Sequence, residues 1–393
     1  MLTVTNNLSE SGVLPSQRIA EAIKRGWILS KSDEIPDKNI QPASLDLRLG
    51  PVAYRLRCSF LPDNESVENK LRLYQMGKID LEGDGGILEQ NRPYLVPLVE
   101  QLELPKIMRA KANPKSSTGR LDIFTRIITD NSSMFDEIPL GYHGRLYLEI
   151  VPRTFAIRIR AGLTLNQLRL MIGYSSLTDT EIKEVHRKNP LLFRNGKPVD
   201  VKEISISNGL FLGLDLGQQK GGKLVGFRAK ENSNLIDLGE TNHYHARAFW
   251  EKEYSESGAR VVLHPEKFYL LLSKDNVRIP PEYAAEMTAY DPTSGELRTH
   301  YAGFFDPGFG CEPDNKGSQA ALEVRAHDVP FAVEHGQNIC KLSFERMLEP
   351  PDRLYGPAMA SNYQDQVVAL SKHFKRNYPR NSSQNQLFAY PKA

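Results

Sequence analysis

Pro114-Lys115-Ser116-Ser117-Thr118-Gly119-Arg120 is preceded by Tyr94 and Pro105 and followed by Glu149, Gly162 and Leu168. About 175 residues later the series returns as Tyr269, Pro280, Pro292-Thr293-Ser294-Gly295-Glu296-Leu297-Arg298, Glu323, Gly336 and Leu342. The step from Tyr to Pro is 11 residues and the step from Glu to Gly is 13 residues in both copies. Self-similarity at a fixed offset marks a repeated structural unit, and it decides how the rest of the chain is read. A weaker echo pairs Leu45-Asp46-Leu47-Arg48-Leu49-Gly50 with Leu212-Gly213-Leu214-Asp215-Leu216-Gly217.

The length of 393 residues agrees with two units, since single cores usually hold roughly 100 to 200 residues. The expected boundary lies near residue 200, with an N-terminal domain over 1–200 and a C-terminal domain over 201–375. Residues 376–393 are polar and broken by prolines, so a mobile tail is expected there.

Charged residues form 25% of the chain and hydrophobic ones 40%, enough apolar material for sizeable cores. Lys plus Arg total 50 against 48 Asp plus Glu, so the overall balance calls for neither a nucleic-acid nor a membrane partner. Any anion must be held by local charge. Cys58, Cys311 and Cys340 are odd in number and far apart, which argues against a disulfide framework and suits a reducing, cytoplasmic setting. The start, MLTVTNNLSESG, has no basic segment leading an apolar run, and no stretch approaches the 18 apolar residues that would span a bilayer.

Short runs rich in aliphatic, β-branched and aromatic residues, separated by Gly, Pro, Asn and Asp, read as strands at 44–49, 145–151, 155–159, 261–263 and 268–272. Such a pattern builds a barrel or a sandwich. Helices are expected only at 17–25, at 179–188 behind a Thr178 cap, and at 363–374.

Three features carry possible chemistry. Lys115, Ser116, Ser117 and Arg120 put two cations and two hydroxyls beside backbone amides on a turn, as polyphosphate binding requires, although a solvated polar turn would look the same. Glu149 and Glu323 are single carboxylates within otherwise apolar runs. In a partly dry cleft such a group gains proton affinity and suits acid-base work; on a strand with one wet face it does nothing. The run from Tyr301 to Gly310 joins aromatic rings to a tight turn, able to wall a base or sugar or simply to close a hairpin.

Ile40-Gln41-Pro42-Ala43-Ser44-Leu45-Asp46-Leu47-Arg48-Leu49-Gly50 resembles the N-terminal signature of the dCTP deaminases, and 115–120 resembles their phosphate-binding turn. The run 301–310 is similar to their Asp-Pro-Gly loop, and Leu322-Glu323-Val324, like Leu148-Glu149-Ile150, is similar to the strand bearing their catalytic glutamate. The resemblance implies a mainly β chain of two tandem dUTPase-like β-barrels of the β-clip type with a few short helices. It implies hydrolytic deamination of dCTP to dUTP and ammonia within pyrimidine deoxynucleotide metabolism, in a homo-oligomer, with Mg²⁺ accompanying the nucleotide.

The run 302–306 is also similar to the sugar-binding motif of the trimeric dUTPases, which keeps a dUTPase or bifunctional activity open beside a non-catalytic nucleotide-binding module. Family members are usually single-domain trimers, so a tandem chain departs from the pattern. The first half has Pro139-Leu140-Gly141-Tyr142 in place of the Asp-Pro-Gly loop, and the second has Thr293-Ser294-Gly295 in place of Lys-Ser-Ser. Each half is therefore incomplete alone, and a composite site follows.

In that composite, Lys115, Ser116, Ser117 and Arg120 would hold the triphosphate, with Ser294 and Arg298 as their second-half counterparts. Glu323 would be the base, with Glu149 as its counterpart, and the Ala302 carbonyl would help hold water. Asp306 would orient the sugar, and Tyr355 and Gln366 would belong to a closing segment over the base. Zinc deaminases need His-x-Glu and Pro-Cys-x-x-Cys. The chain has no such cysteine pair, so the expected base is a carboxylate and no residue is assigned to a metal.

Overall fold

The computed structural model describes residues 11–30, 33–217, 224–289, 297–299, 303–311, 314–326, 328–356 and 369–375. Strands far outnumber helices among them, and the helices are few and short. In the first half Tyr94–Glu103 pairs with His143–Pro152, which pairs with Ile123–Ile128. A second sheet places Thr164–Ile172 between Met108–Pro114 and Leu45–Arg48. Val96, Leu148 and Ile150 from the first sheet and Leu45, Leu47, Leu168 and Leu170 from the second are buried in one core.

The second half repeats this plan. Phe268–Val277 pairs with Ser318–Ala326, and Asn338–Arg346 lies between Tyr283–Ala289 and Leu210–Gly213. The repeat is kept to the level of register: Ile150 pairs with Tyr94 as Val324 pairs with Tyr269. Tyr94 Oη accepts from the Glu89 amide at 3.1 Å, and Tyr269 Oη accepts from the His264 amide at 3.0 Å. Gly162 and Gly336 both have φ of 80°, a left-handed turn open to glycine, and their amides donate to Leu49 and Leu214 at 2.8 Å. These pairings correct the weaker echo by two residues. Leu45 pairs with Leu168 and Leu210 with Leu342, so Leu45 corresponds to Leu210, because pairing with the neighbouring strand sets the register.

The halves are tightly joined. Ile157–Ile159 pairs with Gly86–Leu88 on one side and runs parallel to Ile236–Asp237 on the other. Phe155 packs edge-on against Phe249 and Trp250 at 5.8 and 5.5 Å. Lys111 and Glu286, equivalent positions in the two copies, form an ion pair across the seam.

The expected helices at 17–25 and 179–188 are present as Ser16–Lys24 and Asp179–Lys188, the latter with a capping box between Thr178 and Glu181. The expected helix over 363–374 needs correction for 369–374, the part of it among the described residues. That segment is not helical because its backbone bonds elsewhere: Lys372 and His373 carbonyls accept from Asn242, His243 and Tyr244, and the Lys375 amide donates to Tyr244. Two further helical segments, Val67–Tyr74 and the single turn Ser116–Gly119, have no counterpart in the sequence expectation.

Candidate active site

The phosphate-type turn begins where Met108–Pro114 leaves its sheet. The Lys115 amide donates to Leu165 O at 2.9 Å, and Thr118 Oγ1 donates to the same oxygen at 2.9 Å, which ties the turn to the neighbouring strand. Ser117, Thr118 and Arg120 are buried while Ser116 is exposed. Arg120 Nε donates to Ser116 Oγ at 3.1 Å, and its Nη1 donates to Ala369 O at 3.0 Å. Ser371 Oγ donates to Ser117 O at 3.0 Å. The segment 369–375 thus braces the turn from behind.

Lys115 Nζ pairs with Asp46, from the strand of the N-terminal signature, and donates to Thr164 Oγ1 at 2.9 Å. The same cluster reaches the second half. Arg169, fully buried, lies 3.9 Å above the Phe304 ring centroid, 3.6 Å from Asp306 Oδ1 and 2.8 Å from Glu345 Oε2. Burial raises the Asp306 carboxyl to about 6, helped by the negative charge of Asp46 and opposed by Arg169 and Lys115. Tyr355 supports this loop: its amide donates to Pro307 O at 2.8 Å and its ring lies 5.7 Å from that of Phe309.

Glu323 is brought to the first-half turn. A Cβ built on Gly119 would fall 2.7 Å from Glu323 Oε1 and 2.8 Å from its Cδ, so the carboxylate occupies the place of an absent side chain. Only 8% of Glu323 is exposed, and Oε2 is buried with no hydrogen-bond partner. Burial pushes its proton affinity well above the usual carboxylate range, against the pull of Arg120 and with the added repulsion of Asp122.

Glu149, at the equivalent register, is in a different setting. Its Oε2 accepts from Arg126 Nη2 at 2.5 Å and Nε at 2.9 Å, and the guanidinium lies 3.6 Å above the Phe135 ring centroid. Of the other expected site residues, Ala302, Ser294 and Gln366 lie outside the described residues, and Arg298 is described only as backbone, opposite Arg325 in the strand pair.

Asp122, Arg169, Arg325 and Ser371 join the site without having been singled out in the sequence, and Asp46 and Gly119, quoted there within motifs, gain a contact role. Arg169 and Arg325 had a legible signal, a lone charge in an apolar run, the same one that drew attention to Glu323. Among the described residues no group of three or more His, Cys, Asp or Glu side chains is placed to hold a metal ion. No described helix is long and apolar enough to cross a membrane.

Comparison with known proteins bears on both halves. Family models for the 2'-deoxycytidine 5'-triphosphate deaminase N-terminal and C-terminal domains match residues 10–174 and 178–374. The crystal structure of 2'-deoxycytidine 5'-triphosphate deaminase from Agrobacterium tumefaciens is similar with a TM-score of 0.80 and 43% identity, covering 86% of this chain and 99% of that one. A dCTP deaminase of Natronomonas pharaonis is 28% identical over 175 residues, 44% of this chain and 82% of that protein. A Methanobrevibacter smithii protein described as "dCTP deaminase, dUMP-forming" is 30% identical over 135 residues, 32% of this chain and 66% of that protein. Matched along both of its halves, the chain belongs to the 2'-deoxycytidine 5'-triphosphate deaminase family.

Proposed function

We propose that this chain deaminates dCTP hydrolytically at a composite site between its two halves, each half being a dUTPase-like β-barrel of the β-clip type. The single observation that carries the reading is the Glu323 carboxylate seated against Gly119 of the other half's turn, buried and with Oε2 lacking a hydrogen-bond partner. A carboxylate kept this dry can take a proton and give it back near neutral pH, which is what base catalysis followed by acid catalysis demands.

In this mechanism the triphosphate lies on Lys115, Ser116, Ser117 and Arg120, and the cytosine faces Glu323. Glu323 accepts a proton from a water, held also by the Ala302 carbonyl, as the water oxygen bonds to C4. The tetrahedral carbon then expels its amino group, to which Glu323 returns the proton, and the remaining hydroxyl proton passes to N3 as the C4 carbonyl forms. Ammonia leaves and a uracil ring remains, so dCTP and water become dUTP and ammonia. Asp306 orients the sugar, and Tyr355 and Gln366 close over the nucleotide. Mg²⁺ would accompany the triphosphate and offset its charge, and the nearby carboxylates Asp46 and Asp306 already face Lys115 and Arg169.

Relatives described as dUMP-forming favour a second reading, in which a further water splits dUTP into dUMP and pyrophosphate at the same site. Incubation with dCTP and Mg²⁺, with ammonia, dUTP, dUMP and pyrophosphate measured together, decides among these. The deaminase reading expects ammonia from the natural protein and almost none from Glu323→Gln, which still binds dCTP. Pyrophosphate in step with ammonia supports the second reading. Nucleotide binding without any ammonia release would overturn both.

A further inference from the structure

Behind Glu323 lies a buried ion pair that the mechanism above does not use. Asp122 is fully buried two residues past Arg120, and its amide closes the turn by donating to Gly119 O at 2.8 Å. It has φ of 56°, a left-handed conformation that Asp and Asn adopt more readily than most side chains. Arg325 Nη2 and Thr154 Oγ1 both donate to Asp122 Oδ2, and Arg325 Nη2 also donates to Thr154 Oγ1 at 3.1 Å. Arg325 Nη1 donates to Glu266 O. Arg325 stands two residues after Glu323 on the strand Ser318–Ala326, so both side chains project from the same face.

We propose that Asp122 and Arg325 are positioning residues for Glu323: their ion pair fastens the strand bearing the carboxylate to the end of the first-half turn, and the charge of Asp122 holds Glu323 ready to keep a proton. This rests on the deaminase reading of the site. The two ends of the pair come from opposite halves, so the separation of Gly119 from Glu323 depends on it. Its members are almost wholly removed from water, with side chains 0% and 6% exposed. Asp122 is bonded there by Arg325 and Thr154, and its charge disfavours a second negative charge on the neighbouring Glu323.

The charges that face Glu323 are few. Arg120 comes from the turn and favours its ionised form, while Asp122, just past the turn, opposes it. Arg325 follows on its own strand, Glu323 pairs with the apolar Leu270 on the adjacent strand, and Arg298 lies opposite Arg325 on the edge strand. Removing the charge of Asp122 therefore leaves Arg120 less opposed.

The test titrates Glu323 directly, by carbon NMR of protein labelled at its glutamate side-chain carboxyls, with Glu323→Gln used to assign the signal. Profiles of kcat and KM against pH for dCTP with Mg²⁺ are recorded alongside. Asp122→Asn keeps the shape and tolerates the left-handed backbone. It is expected to lower both the Glu323 midpoint and the acid limb of kcat by about one pH unit. At neutral pH its kcat should fall on the order of tenfold, with KM within about twofold. Arg325→Lys keeps the charge but loses the forked geometry, so its midpoint should stay while kcat falls.

An unmoved midpoint in folded Asp122→Asn, or an unchanged kcat in Arg325→Lys, would overturn the proposal. Should Asp122→Asn not fold, Arg325→Lys alone decides it. Absence of dCTP turnover in the natural protein would instead sink the deaminase reading, with the NMR midpoints still judging the role of Asp122.

Discussion

Gly119 and Glu323 come from opposite halves of the chain, and the carboxylate of the second fills the space in which a side chain on the first would have to begin. The active-site candidate therefore depends on an absent methyl group as much as on the residues that are present. Because the Gly119 backbone is not left-handed, alanine suits it conformationally, and the nearest atoms in its way are those of Glu323.

Gly119→Ala should thus leave the protein folded and displace the carboxylate. A displacement of roughly 1 Å at a reacting group can cost about 10²-fold in rate. We expect kcat for dCTP to fall by that order while the melting temperature changes little, measured by ammonia release and thermal unfolding. Undiminished turnover would mean that Glu323 acts from another position.

The two equivalent glutamates should separate under the same substitution. Glu149→Gln breaks a buried ion pair with Arg126 and is expected to cost about 3 kcal/mol of unfolding free energy, with kcat changed less than about threefold. Glu323→Gln replaces a buried carboxylate whose Oε2 has no hydrogen-bond partner among the described residues, and should keep stability while losing nearly all turnover. Denaturant titrations and kinetics on the two variants would reveal the opposite assignment as readily as the expected one.

Asp306 supplies a pH dependence of stability. Its carboxyl ordinarily titrates at 3.8 and is raised to about 6 in the folded chain, chiefly by burial. Between those values the folded state binds more protons than the unfolded state. The contribution is therefore fully present below the lower value and is lost as pH rises through the upper one. Asp306→Asn should remove a loss of about 2 to 3 kcal/mol across that window. Parallel stability curves for the natural protein and the variant between pH 4 and 7 would contradict this.

Ser371 acts on the nucleotide turn through the backbone, by its bond to Ser117 O at 3.0 Å and its contact with His373 Nδ1 at 2.9 Å. Ser371→Ala gives up about 1 kcal/mol of bracing. We expect KM for dCTP to rise roughly fivefold with kcat almost unaltered, and a fall in kcat alone would show that the segment serves Glu323 instead.

Much of this architecture was legible before folding was considered. Leu45, Leu148 and Leu270 lie in short apolar runs closed by turn residues, and side chains that alternate along a strand announce a buried face locally. The turn at 115–120 and the acid in Leu322-Glu323-Val324 were visible for the same reason, as departures from their immediate surroundings. The absence of helix over 369–374 is not legible locally, because the hydrogen-bond partners of this segment at 242–244 lie far away along the chain. Asp122 and Gly119 gave no local sign, since neither residue type is unusual within a polar turn.

From the order of its residues alone, this protein's duplication, its mainly β character and its family likeness could be established, because each rests on short-range patterns repeated at a constant offset. The tertiary structure alone decided which of two equivalent glutamates is bonded to an arginine and which is seated against the turn of the other half. Charge pairing and dryness depend on what converges in space: Arg126 lies beside Glu149, whereas Glu323 meets a glycine contributed by the other half.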